Sequence, residues 1–117
     1  MRLRLMGAFA NNWVERVALL LRLLRRLSGV LTLDLTKRHE AVVFAMVLLS
    51  RSKPLLGIDE VAEMCQRLGR DERRLPLLDR GELGRALSDL ERIRCVCREG
   101  TEWRLIEQVL IRTSVLE

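Results

Sequence analysis

Three kinds of side chain in this sequence could do chemistry: the cysteines Cys65, Cys95 and Cys97, the single histidine His39, and a run of arginines in its last third. Cys95 and Cys97 stand in "CVC", and with Cys65 and His39 they would complete a Cys3His donor set. Structural zinc sites use spacers of two or more residues, so that two thiolates can turn toward one ion. A one-residue spacer in an extended segment keeps the sulfurs well apart. The expected role of the three cysteines is therefore small apolar core packing, with no metal and no cofactor. His39 has no serine, cysteine or carboxylate partner at a spacing that would make it a general base, so it reads as a surface or capping residue at a helix start. No catalytic residue is assigned, and no enzymatic activity is expected.

The arginines carry a different chemistry. Arg80, Arg85 and Arg92 fall on one predicted helix, and Arg94, Arg98 and Arg104 fall around a predicted hairpin. A guanidinium fork held on a rigid element can contact a phosphate or a guanine edge. Glu82, Asp89, Glu91, Glu99 and Glu102 are interleaved with these arginines and would repel phosphate.

The chain has 117 residues, enough for one domain with a workable core. A hydrophobic share of 49% beside a charged share of 32% fits a folded globular protein and excludes a disordered tail. Lys plus Arg number 21 against 16 Asp plus Glu, a net charge of +5 that favours polyanionic partners. Only Lys37 and Lys53 are lysines, so the positive charge is almost wholly arginine. An odd number of cysteines argues against a secreted disulfide scaffold and for the cytoplasm. The opening "MRLRLMGAFANNWVERVALLLRLLRRL" has an apolar run broken by Arg22, Arg25 and Arg26 and lacks a small-residue cleavage site. It is expected neither to span a membrane nor to act as an export signal.

The elements follow from the spacing of apolar residues. Asn11 or Asn12 can cap a helix from about Trp13 to Leu27, with Gly29 as its stop. Trp13, Val17, Leu20, Leu24 and Leu27 share one face of it, widened by Val14, Ala18 and Leu21; this stripe must pack on the rest of the domain or on a second copy. "VLTLDLT" reads as a short strand or an extended linker. Thr36 caps a second helix to about Ser52 that is apolar nearly all round in its second half, the mark of a central core helix. "KPLLG" is a turn, Asp59 can cap a third helix ending at Gly69, and residues 70–79 form a charged loop. Asp79 caps a fourth helix, about 80–92, with Leu83, Ala86, Leu87 and Leu90 inward. Residues 93–107 alternate and turn at Gly100, as a hairpin does, with Trp103 as its anchor. "QVLIRTSVLE" either extends the second strand or forms a last helix.

Three helices followed by a hairpin is the layout of a winged helix-turn-helix, in which the third helix enters the major groove and the wing lies along the backbone. From Lys37 to Ile93 the sequence resembles the carboxyl-terminal winged-helix domain of archaeal replication initiators, the origin-recognition proteins related to the cell-division-cycle ATPases. The likeness rests on His39 and Glu40 at a helix start, Glu60 and Val61, Pro76 and Leu77, and Leu87, Leu90 and Glu91 at the end of the recognition helix. The sequence departs from that family in two places. It has no G-x-x-x-x-G-K-[ST] phosphate loop, so ATP hydrolysis does not carry over. Arg94 also stands where the family usually has a glycine.

The expectation is thus a mostly α-helical chain with a small β-hairpin: an N-terminal helix and linker over 1–35, then a winged-helix domain over 36–117. Double-stranded DNA is the expected partner, contacted by Arg80, Arg85, Arg92, Arg94, Arg98 and Arg104, in a homodimer built through Trp13, Val17, Leu20, Leu24 and Leu27. The competing expectation is a protein-interaction module of a replication, transcription or repair assembly, docking through its leucine-rich first helix.

Overall fold

The computed structural model describes residues 6–71, 75–106 and 109, with side chains from Glu15 onward. Four helices precede a hairpin: α1 (Met6–Ser28), α2 (Lys37–Ser50), α3 (Ile58–Asp71) and α4 (Arg80–Arg92), with strands β1 (Leu56–Gly57), β2 (Val96–Glu99) and β3 (Glu102–Leu105). The domain is mostly helical with a small three-stranded antiparallel sheet in the order β1-β3-β2, a topology compatible with a winged helix that carries an extra N-terminal helix.

The core is built around α2. Its residues from Ala41 to Leu48 are all buried, and α1, α3, α4, β1 and β3 all pack against it. A helix covered on every side needs no polar stripe, which is why its sequence is apolar nearly all round. Thr36 opens it in a capping box: the hydroxyl accepts from the Arg38 N–H, and His39, three residues on, accepts from the Thr36 N–H at 2.9 Å. Asp79 opens α4 in the same way, accepting from the Glu82 N–H at 2.7 Å while Glu82 accepts from the Asp79 N–H at 3.3 Å.

Several boundaries differ from those read off the sequence. The first helix is described from Met6, so Asn11 and Asn12 lie within it rather than at its start. Residues 30–36 form a turn and an extended linker with no strand. The third helix starts at Ile58, one residue before Asp59, and continues through Gly69 to Asp71. Gly69 is required by space: a Cβ there would lie 2.6 Å from Leu77 Cδ2, where the returning loop crosses the helix. β1 falls in the segment expected to be a turn, and its two residues pair with Trp103 and Glu102 of β3. The hairpin register sets Val96 against Leu105 and Arg98 against Trp103, and Gly100, at φ 64°, supplies the positive dihedral of its two-residue turn. Glu72 and most of "QVLIRTSVLE" lie outside the described residues.

The α1 stripe also divides differently. Val17, Leu20, Leu21 and Leu24 are buried in the same core as α2, whereas Leu27, expected on that face, is 73% exposed. Three of the five side chains expected at a dimer interface are therefore covered by the chain's own core, and the side chain of Trp13 lies outside the described residues.

Candidate nucleic-acid interface

Between the hairpin and the outer side of α4, beside Ile58 at the start of α3, lies an open cleft of about 680 Å³. Its lining includes Arg80, Arg85, Ser88 and the acidic Asp89 from α4 and Arg98 and Trp103 from the hairpin. The two-residue periodicity of a strand places these last two together, since Val96 and Leu105 on the same sheet face point into the core. Trp103 anchors the sheet, being only 8% exposed, and the Arg98 guanidinium lies 5.7 Å from its ring centroid. Arg98 Nε also donates to the Gly100 carbonyl at 3.0 Å, so this cation is held at the rim of the turn.

Arg80 and Arg85 both line the α4 wall, five residues apart and so toward its two edges. Arg80 is ion-paired with Asp59 at the start of α3, but both side chains are largely exposed, and such a pair yields easily to another anion. Arg85 is exposed and has no ion-pair partner among the described residues. Gly81 and Gly84 carry no side chain into the cleft and leave its α4 wall open to close approach.

Two of the five interleaved acids, Glu82 and Asp89, are bonded to side chains of α2, whereas Glu91 and Glu99 are exposed and Glu99 lies beside Arg104. Glu82 Oε2 is held by Arg38 at 2.7 Å, and its other oxygen caps α4. Asp89 Oδ2 accepts from His39 Nε2 at 2.9 Å. Because His39 Nδ1 accepts the Thr36 N–H, the ring proton sits on Nε2, and both nitrogens of this buried imidazole are used. His39 is thus a capping residue, but a buried one rather than a surface one. A histidine at that helix position could have been read as the third member of a capping box; its bond to Asp89, fifty residues on, leaves no local signal in the sequence.

The other three arginines are placed elsewhere. Arg92 is exposed in the last turn of α4. Arg94 is exposed just beyond it, at φ 61°. Arg104 pairs across the hairpin with Cys97, on the sheet face away from the cleft, and lies 3.2 Å from Glu99. Cys65 and Cys95 are buried and free, their thiols pushed up to about 12 by desolvation, while Cys97 is half-buried. Among the described residues no group of three or more His, Cys, Asp or Glu side chains is arranged to hold a metal ion, and no helix is long and apolar enough to cross a membrane. Comparison with known proteins shows no relative: no family model matches the chain, and neither the curated proteins nor the solved structures gave a significant match.

Proposed function

We propose that this chain is a non-enzymatic protein that binds double-stranded DNA, with α4 as the recognition helix and the β2–β3 hairpin as the wing. One observation carries the reading: arginines from two separate elements, Arg80 and Arg85 of α4 and Arg98 of the hairpin, line one cleft, while the Glu82 carboxylate is engaged by Arg38 outside it and the one carboxylate that lines it, Asp89, accepts a bond from His39. Arg85, with no ion-pair partner among the described residues, is the side chain best placed to read a base. Arg98, Arg92 and Arg94 border the helix and hairpin as backbone contacts, and Arg104 serves an approach along the outer hairpin face. The likeness to the initiators' winged-helix domain suggests a place in replication or transcription without an ATPase module, and the odd number of cysteines suggests the cytoplasm.

Anisotropy of a labelled duplex titrated at two salt concentrations tests this reading. Binding should weaken as salt rises, and Arg85→Ala should cost about 1–3 kcal/mol if Arg85 reads a base. Arg80→Ala together with Arg85→Ala should weaken it further. Absence of binding at low salt would overturn the proposal and favour the second reading, a protein-interaction module, for which the leucines exposed on α1 are the supporting observation.

A further inference from the structure

Five large hydrophobic side chains are exposed among the described residues, and four of them, Leu19, Leu23, Leu27 and Leu31, belong to α1 and the turn that follows it. The first three recur every fourth residue along the helix, a slanting stripe on the side away from the core. Leu19 is 61% exposed and Leu27 is 73% exposed, so neither is a core residue at its margin. A shallow groove of about 320 Å³ runs along this stripe, lined by Leu19, Leu23, Arg22, Arg25 and Arg26.

The charge on this face is uncompensated. Among the described residues Lys37, Arg38, Lys53, Arg67, Arg80 and Arg104 each have a carboxylate partner, whereas Arg85, Arg92, Arg94 and Arg98 around α4 and the hairpin do not. Among the described residues, none of the three groove arginines has one. Arg25 donates one bond, to the Leu33 carbonyl at 2.9 Å, and its Nε is buried without a hydrogen-bond partner. A leucine stripe alone would suit many occupants, but leucines set among unpaired guanidinium groups suit an apolar surface bordered by carboxylates.

We propose that the outer face of α1 docks an amphipathic helix of another protein whose apolar stripe is flanked by Asp or Glu. The leucines enter the apolar stripe, and Arg22, Arg25 and Arg26 meet its acidic flanks, the helix-in-groove mode of recognition. A second copy fits poorly, because apposed α1 faces would bring these arginines against their own kind with only Glu15 among the exposed α1 acids to offset them. An anionic membrane also fits poorly: the described face has no aromatic side chain, and the opposite side of α1 is already fixed in the core. The proposal does not depend on DNA binding, since no α1 residue lines the cleft beside α4.

The test uses the full chain and a fluorescein-labelled helical peptide about 20 residues long. Leucines form one face of the peptide and glutamates flank them; a twin peptide carries lysine at each glutamate position. The glutamate peptide should bind about tenfold more tightly than its twin. Arg22→Glu combined with Arg26→Glu should reverse that order. Leu19→Ser combined with Leu27→Ser should abolish binding of either peptide, with an unchanged circular dichroism spectrum. Equal binding of the two peptides, or binding of neither, overturns the proposal. A dimer mass in light scattering that returns to monomer in the double-serine variant assigns the face to a second copy and also overturns it. Co-sedimentation with phosphatidylglycerol vesicles that the same variant loses, without peptide binding, assigns it to lipid with the same consequence.

Discussion

Arg94 occupies the left-handed region at φ 61°, where the Cβ of an L-residue crowds its own carbonyl. It is the residue after the C-cap of α4. Its N–H bonds to the Glu91 carbonyl at 3.0 Å and that of Cys95 to the Leu90 carbonyl at 2.9 Å, the paired bonds of a Schellman motif that glycine ordinarily completes. Arg94→Gly should therefore raise stability by about 1 kcal/mol, read as a higher urea midpoint at unchanged slope; a lower midpoint would mean that the exposed side chain contributes more than its backbone costs. The thiols make a second residue-scale prediction. Burial holds Cys65 and Cys95 well above the ordinary value of 9.0, at about 12, so the folded chain keeps protons that the unfolded chain releases. Their contribution to stability is complete below pH 9 and is lost as pH rises toward 12. With an aromatic disulfide reagent near neutral pH, Cys97 should react first, and Cys65 and Cys95 only once the chain is unfolded.

At the scale of elements, α2 and α4 are bridged by the His39 imidazole as well as by the Arg38–Glu82 pair. His39 satisfies the first backbone donor of the α2 cap and donates to Asp89 on α4, so His39→Ala removes a cap and leaves a partly buried carboxylate short of a donor. Its cost should be about 1–3 kcal/mol, measured by chemical denaturation; Asp89→Asn, which keeps an acceptor oxygen for Nε2, should cost less. The elements most legible in the sequence were those with local causes: Thr36 and Asp79 as caps, the encircled apolar helix between Thr36 and Ser50, and the alternation on either side of Gly100. What escaped depends on distant partners. β1 has only two residues and exists because β3 lies beside it, Gly69 is small because Leu77 passes over it, and Leu27 shares its neighbours' spacing but lies beyond the reach of the core. The same holds for the candidate site. That Arg80 and Arg85 project from one helix was legible, but their meeting with Arg98 across a cleft, and the turn of Arg104 away from Arg98, follow from tertiary packing and strand register.

For the molecule as a whole, α1 belongs to the core rather than to an appendage. Val17, Leu20, Leu21 and Leu24 are buried with α2, each worth about 1.5–3 kcal/mol of apolar burial. A chain shortened to residues 36–117 should unfold at lower urea concentration than the full chain and bind a hydrophobic dye such as anilinonaphthalene sulfonate, because one flank of α2 would face water. An unchanged midpoint and no dye binding would show that the remaining elements close over α2 by themselves. The encircled character of α2 also bears on the order in which the chain is made. During synthesis it leaves the ribosome before α3, α4 and the hairpin, the elements that cover most of its surface. Among the described elements α1 precedes it, and the buried leucines of α1 offer the nascent α2 a partner within the same chain. Of the described elements that pack on α2, α1 is thus the one made before it and available to cover its apolar surface while the others are still to come.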